Sequence, residues 1–268
     1  MGMVRKSLRA VLVALGWICA LLALGIPVWF AAAAFGTKWG FFDTATGLDW
    51  MTRGIGRPLL LAAVAAGAAA LVLMLLYRLI GRRFFGAVVS PVLALGIGAA
   101  GLGWAWQVDR QRAAAPAILD VTTDRADPPH FSPAFESRRL AGHQSLDYFG
   151  KHTASGRDLA ALQAETYPDI ATVRVARPPE AVFADALAYA HGQRWRVGTA
   201  SPSVGMFEAG TESFWFGLRD DIVVRIREDG EGGSLVDIRS LSRRPIHDLG
   251  RNARRVRDFS AAIGREDF

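Results

Sequence analysis

Three long runs of apolar residues, separated by short charged segments, fill the first 108 residues of the chain. They span residues 10–36, 58–77 and 84–108, and none contains a charged side chain. A helix needs about 20 apolar residues to cross the hydrocarbon core of a bilayer. The pattern therefore predicts an anchor of three transmembrane helices within residues 1–108.

After residue 108 the apolar runs become short and are separated by turn residues. Residues 109–170 contain several prolines, which indicates an irregular linker and the first part of a second domain. Residues 171–268 are predicted to form an α+β core, an antiparallel sheet with two helices packed on one face. The first of these helices follows Pro178, and the second begins with Asp248 as its N-cap. Strands are predicted over 172–176, 195–199, 204–209, 213–217, 222–228 and 234–242.

Alternation in the last two strands predicts their register. With the turn at 229–233, Val224 faces Ile238 on the buried side. The same register places Arg225 opposite Asp237 on the other face, which is a favourable cross-strand pair. Side-chain pattern and charge thus agree on one hairpin.

The net charge of +6 comes from the apolar half of the chain, because residues 1–106 hold nine Lys or Arg and only two Asp. These basic residues bracket the apolar runs, so they argue for a membrane orientation and against nucleic-acid binding. By the positive-inside rule the basic clusters face the cytoplasm, which places the C-terminal domain on the opposite side of the membrane. The clusters are Arg5, Lys6 and Arg9 before the first run, and Arg78, Arg82 and Arg83 after the second.

The first apolar run has a second interpretation, a signal peptide with a cleavage site at 32–34 (AAA). Its length exceeds the usual apolar core of such peptides, about 7–15 residues, which favours a retained span. Either interpretation leaves the second domain on the same side. The single cysteine, Cys19, lies in this run, so neither a disulfide nor a cysteine nucleophile is predicted in the domain.

Several strings in the second half of the chain occur together in a fixed order. They include ILDVTTD at 118–124, WFG at 215–217, DDIVVR at 220–225 and DLGRNA at 248–253. Over about residues 113–265 this set resembles a bacterial and plastid family known as a domain of unknown function, number 1499. The resemblance implies no activity, cofactor or residue role.

The candidate site lies on the last two strands and the last helix. Seven arginines and one acid occur between residues 239 and 257. They indicate either a solvated face paired with acids or a surface that contacts an anion. Asn252 is spaced to face the sheet, where Arg239, Ser240 or Asp221 could satisfy its amide. The candidate binding residues are Asp220, Asp221, Arg225, Arg239, Ser240, Ser242, Arg243, Asp248, Asn252 and Arg255.

Signals for catalysis are weaker than signals for binding. Asp220 and Asp221 are adjacent on a strand, so their carboxylates point to opposite faces and do not converge. The chain has no Gly-x-Ser-x-Gly elbow and no His-x-x-x-His pair. The sequence therefore predicts no catalytic residue, metal or cofactor, although a zinc site assembled from His130, Asp120 and Asp124 stays open.

The leading hypothesis is an inner-membrane protein without enzymatic activity, whose periplasmic domain binds an anionic envelope component or a membrane partner. The predicted partners are the bilayer, an anionic lipid, a cell-wall component or another membrane protein. The alternative is a periplasmic metal-dependent or serine hydrolase acting on an envelope substrate. It requires Asp221, Ser240, His247 and Asn252 to converge around one pocket. The uncharged spans weigh against transport.

Overall fold

The computed structural model describes residues 2–79, 88–114, 116–137, 139, 143–153 and 156–265, with side chains from Ser7 onward. Contacts divide the chain into two compact units, residues 1–110 with Phe214–Gly217, and residues 111–213 with 218–268. Residues 80–87 lie outside the described residues. They include Arg82 and Arg83 of the second basic cluster and the first residues of the third apolar run.

The first unit contains three long helices, α1 (Gly2–Lys38), α2 (Gly56–Leu79) and α3 (Val89–Ala114). All three are long and apolar enough to cross a membrane, which confirms the prediction of a membrane protein. The stretch 36–57 between the first two apolar runs contains a π-helical segment at Ala45–Ile55, which continues directly into α2.

Helices α2 and α3 approach closely at two glycines. A Cβ atom added to Gly67 would lie 2.7 Å from the carbonyl oxygen of Pro91, and one added to Gly98 would lie 2.7 Å from that of Leu60. Neither position has room for a side chain unless the helices move apart. The two helices therefore pack backbone against backbone, as small residues allow in membranes.

The second unit is built on an antiparallel sheet with strand order β1-β6-β5-β4-β3, in which β2 also pairs with β6. Helices α6 (Pro179–Gly192) and α7 (Arg251–Ile263) pack on one face of this sheet, which confirms the predicted fold class. Two short helices, α4 (Pro133–Glu136) and α5 (Leu159–Thr166), lie between β1 and β2. The strands are β1 (Asp120–Thr122), β2 (Val173–Val175), β3 (Arg196–Ser201), β4 (Met206–Glu212), β5 (Arg219–Glu228) and β6 (Ser234–Ser242).

The predicted hairpin register is confirmed. Val224 is paired with Ile238, and Arg225 is paired with Asp237. Val224 and Ile238 are buried against the helices. Because successive side chains on a strand alternate between faces, Arg225 and Asp237 lie on the opposite face.

The strand predicted over 213–217 is wrong, because these residues form the turn between β4 and β5. Strand β1 was missed, since three residues are too few for alternation to be recognised. It pairs with the outer edge of β6. The side-chain amide of Gln163 also bonds to the backbone of β1, as a neighbouring strand would. Its Nε2 donates to the Thr122 carbonyl at 2.7 Å, and its Oε1 accepts from the Thr122 N–H at 3.1 Å.

Residues between β1 and α5 cover the face of the sheet that the helices leave open. Asp237 on this face is fully buried and accepts hydrogen bonds from the hydroxyl groups of Thr123 and Thr172. Glu208 accepts from the backbone N–H and the hydroxyl of Ser132, the N-cap of α4. The apparently irregular segment is therefore fixed to the sheet by buried polar groups.

Candidate functional site

The two adjacent acids at the start of β5 occupy different environments. Asp220 and Asp221 are both almost completely buried. Asp220 bonds to residues of α7, whereas Asp221 bonds to Arg243 and pairs with Arg139 on the opposite face. The carboxylates diverge as strand geometry requires, so they cannot hold one atom between them.

Asp220 is the centre of a polar network under α7. Its carboxylate accepts hydrogen bonds at 2.7–2.8 Å from Arg251 and at 2.8 Å from Arg255. It also accepts from the hydroxyl of Ser242 at 3.0 Å. Burial opposes ionisation, but the hydrogen bonds and charges of the two arginines outweigh burial and lower the pKa of Asp220.

Asn252 faces the sheet and is fully buried, as predicted. Its amide accepts from Ser240 at 2.8 Å and from Arg255 at 3.0 Å, and it donates to Ser242 at 2.8 Å. Of the three partners expected for this amide, only Ser240 is in contact. Arg239 and Asp221 lie on the other face. Because the carboxylate of Asp220, the amide of Asn252 and the two serine hydroxyl groups all have partners, the network stabilises the domain.

Asp248 was predicted to be the N-cap of the last helix, but that position belongs to Gly250 in the left-handed conformation, with φ 73°. The Asp248 carboxylate nevertheless accepts from the backbone N–H groups of Gly250 at 3.1 Å and Asn252 at 2.8 Å. Asp248 therefore satisfies two backbone donors at the start of α7, although it precedes the N-cap residue by two positions.

The opposite face contains a fully buried arginine. Arg239 makes a two-pronged pair with Asp120, at 2.9 Å and 2.8 Å, and Lys151 also pairs with that carboxylate. The guanidinium donates as well to the carbonyl groups of Pro129 and Leu146. Burial raises the pKa of Asp120, but the charge and hydrogen bonds of Arg239 and Lys151 prevail and lower it. Arg239 is thus a structural ion-pair partner with no exposed surface to offer a ligand.

The other predicted residues on this face are also engaged with acids. Arg225 pairs with Asp237 at 3.0 Å and with Asp127 at 2.8 Å. Arg243 pairs with Asp221 at 2.7 Å. The ten predicted site residues therefore form two groups on opposite faces, and members of the helix-side group line an open cleft.

That cleft, with a volume of about 410 Å³, lies between the end of α6, the start of α7 and the end of β4. Arg251 and Arg255 of the buried network form one wall. Trp195 also lines the cleft and is stacked on Phe259, with ring centroids 6.0 Å apart. The remaining lining residues are Tyr189, Gln193, Arg194, Thr211, Glu212, Arg254 and Asp258.

Two of the four arginines in the cleft are not used by the fold. The side chains of Arg194 and Arg254 make no hydrogen bond or ion pair with the residues that the structure describes, and both are exposed. Glu212, by contrast, is paired at 3.0 Å with both Arg196 and Arg219 outside the cleft. The cleft therefore offers two guanidinium groups with all their donors available for an oxyanion.

Arg194 is held in a conformation that usually requires glycine. Its φ is 58°, in the left-handed region. The backbone N–H of Arg194 bonds to the His191 carbonyl and that of Trp195 bonds to Ala190, the hydrogen-bond pattern of a Schellman helix end. Glycine is the common residue at this position because a side chain there is strained. A strained arginine at the rim of a cleft points to a role for its side chain.

Tyr189 adds a hydrogen-bond donor to the cleft. Burial, reinforced by the negative charge of Asp258, raises the pKa of the Tyr189 hydroxyl. The hydroxyl therefore stays protonated and able to donate. Together with the free arginines it suits a phosphate or carboxylate group.

The constellation required by the hydrolase alternative is not assembled. Asp221 lies on the face opposite Ser240 and Asn252, and the Ser240 hydroxyl bonds to Asn252 and Arg255. His247 Nδ1 accepts from the backbone N–H of Leu249 at 3.1 Å. Within the described parts of the chain, no group of three His, Cys, Asp or Glu side chains could hold a metal ion. The postulated zinc ligand Asp120 is instead bound by Arg239 and Lys151.

The sequence of the second unit can now be placed in a family. The model of a family described as "Protein of unknown function (DUF1499)" matches residues 120–263. The chain belongs to the DUF1499 family. The match runs from the first residue of β1 to the last residue of α7, so it covers both faces of the sheet and every arginine of the cleft. No curated protein matches this DUF1499 chain.

Sequence reasoning missed most of the cleft of this DUF1499 domain. It counted Arg254 among the arginines of the last helix, but it did not select Arg194, Tyr189 or Asp258. These residues lie on different elements and come together only through the packing of α6 on α7. The sequence did hold one signal, since Gln193-Arg194 ends an apolar helical pattern at the position where glycine is expected.

Proposed function

We propose that this DUF1499 protein resides in a bacterial inner membrane and uses its second domain to bind an anionic envelope component in the arginine cleft. The observation that carries the proposal is the pair Arg194 and Arg254, two guanidinium groups at one cleft that the described fold leaves without partners. The ligand group is a phosphate or a carboxylate, because both match the planar fork of arginine.

The proposed ligand meets a cleft of net positive charge. Arg251 and Arg255 form its wall and are only partly neutralised, because they share the single carboxylate of Asp220. An anion bound beside them gains from both charges at short range, where screening by salt is weak. Non-enzymatic binding is proposed because the described polar groups that line the cleft are placed to hold an anion, and among them no nucleophile is in contact with a base.

The proposed orientation places the domain in the periplasm, since basic residues cluster before the first span and after the second. It can be tested in the full chain after Cys19→Ala, which removes the single cysteine. Glu231→Cys then marks the β5–β6 turn. We expect a membrane-impermeant maleimide to label this residue in intact spheroplasts. Labelling only after lysis would place the domain in the cytoplasm.

The binding proposal is tested with the full chain purified in a neutral maltoside detergent, which contains no phosphate. Inorganic phosphate, glycerol 3-phosphate and succinate are titrated separately by calorimetry, so that phosphate and carboxylate ligands are distinguished. A charge-assisted hydrogen bond contributes about 1.5–3 kcal/mol, so we expect Arg254→Gln to raise Kd roughly 10- to 100-fold.

The matched control is Arg244→Gln. Arg244 is also an exposed arginine without an ion pair among the described residues, but it lies outside the cleft. We expect this variant to bind like the unmodified chain. Equal weakening by both substitutions would mean that net charge alone attracts the anion. No binding of any of the three probes would refute the proposal.

A further inference from the structure

The turn between β4 and β5 exposes large aromatic side chains. Residues 213–218 read SFWFGL and carry no charge. Phe214 is 65% exposed and Trp215 is 55% exposed. Exposed aromatic rings concentrated at one tip mark a surface for a protein or a membrane.

The turn has a defined conformation. The backbone N–H of Ser213 donates to the Leu218 carbonyl at 2.8 Å, and the N–H of Leu218 donates back to the Ser213 hydroxyl at 2.9 Å. Phe216 and Gly217 both adopt the left-handed conformation, with φ 61° and 60°. Such strain in a phenylalanine persists only where the surrounding turn fixes it. The exposed rings are thus presented by a closed turn.

Strand register shows at which end of the sheet this turn lies. Asp120, the first residue of β1, is paired with Leu241, which is paired with Asp221, which is paired with Gly210. The aromatic turn extends beyond Gly210 and Asp221. It therefore leaves the sheet at the same end at which the chain enters β1.

The end of the sheet that carries the aromatic turn is also the end tethered to the last membrane span. Only residues 115–119 separate Ala114, the end of α3, from Asp120. Five extended residues span at most about 20 Å. The covalent connection between the last apolar helix and this end of the sheet is therefore short.

The opposite end of the sheet has a contrasting turn. The β5–β6 turn, residues 229–233, reads DGEGG and contains two acids and no aromatic residue. Strand β5 has 10 residues, so the two turns lie about 33 Å apart. Of these two tips, the aromatic one is near the tether and the acidic one is remote from it.

We infer that Phe214 and Trp215 insert into the interfacial layer of the bilayer that contains the chain's own helices. Tryptophan and other aromatic rings favour this layer because it accepts both their apolar faces and their polar edges. The remote turn, with Asp229 and Glu231, has the composition of a surface that stays in water. The inference does not depend on the anion cleft, because it rests on a different turn and a different partner.

The test uses the full chain reconstituted in lipid nanodiscs after Cys19→Ala. Trp215→Cys is labelled with an environment-sensitive fluorophore, and Glu231→Cys is labelled in the same way as the matched control. We expect nitroxide lipids to quench the label at position 215 several-fold more strongly than the label at 231. We also expect the 215 emission to be shifted to the blue.

A second variant, Phe214→Cys, guards against a local effect of replacing Trp215, and we expect the same result for it. If positions 214 and 215 are quenched no more than position 231, the inference is wrong. Phosphate binding by the labelled chains is measured in parallel. A chain that binds phosphate but shows no lipid quenching refutes the membrane contact alone, and the reverse result refutes only the anion site.

Discussion

The two faces of the sheet both bury charged groups, but they do so in different ways. On the loop-covered face, Arg239 is completely enclosed with Asp120 and meets no open space. On the helix-covered face, Asp220 is also buried, yet its partners Arg251 and Arg255 line a cleft. Buried ion pairs alone therefore do not identify a site. What distinguishes the helix face is that its arginines adjoin Arg194 and Arg254, whose side chains have no partner among the described residues.

The largest loss of stability is expected from a substitution on the loop-covered face. Arg239→Met removes two prongs from Asp120 and leaves that carboxylate buried with Lys151 alone. Breaking a buried pair in this way costs about 3–5 kcal/mol. Urea unfolding of the domain in the detergent-solubilised chain measures the loss. Arg257→Met is the control, because its pair with Asp169 is exposed and is worth about 0–1 kcal/mol. Similar losses of unfolding free energy in both variants would show that the buried pair stabilises the domain no more than the exposed pair does.

A smaller effect is expected on the helix-covered face. Ser242→Ala removes one bond to Asp220 and leaves an amide donor of Asn252 buried without its partner. We expect the free energy of unfolding to fall by about 1–3 kcal/mol. Ser145→Ala, at an exposed hydroxyl that bonds to Asp147, should change it by less than about 0.5 kcal/mol. A neutral Ser242→Ala would mean that the network is not tightly coupled.

The smallest effect expected is on acid sensitivity. The pKa of Asp220 is lowered in the folded domain, so the folded state binds fewer protons than the unfolded state. The stability from this group is present above its unfolded pKa, about 3.9, and is lost as the pH falls toward the folded value. Asp220→Asn should therefore flatten the decline of melting temperature between about pH 5 and pH 3. An unchanged slope would place the acid sensitivity in other carboxyl groups, such as Asp120.

Much of the architecture was predictable because it depends on local patterns. Three uncharged runs identified the membrane helices, and alternation identified the pairing of Val224 with Ile238. The divergence of Asp220 and Asp221 follows from strand geometry alone. Each of these features is encoded within a few neighbouring residues.

The features that were missed depend on distant contacts. Strand β1 exists because the edge of β6 needs a partner and Gln163 supplies further hydrogen bonds. The residues 213–217 have strand-like composition but form a turn, in which Phe216 adopts a left-handed conformation. The cleft brings together three separate elements. Composition in one segment carries no information about such pairings.

The central claim, that the cleft binds an anion through arginines the fold does not need, is tested most directly by Arg194→Gly. Glycine suits φ 58°, so the substitution relieves strain while it removes a guanidinium from the rim. Urea unfolding and phosphate calorimetry are carried out on the same full-length variant. We predict that stability is retained or rises by up to about 1 kcal/mol, while phosphate Kd increases roughly tenfold or more. Unchanged phosphate affinity in a stably folded Arg194→Gly chain would contradict the claim.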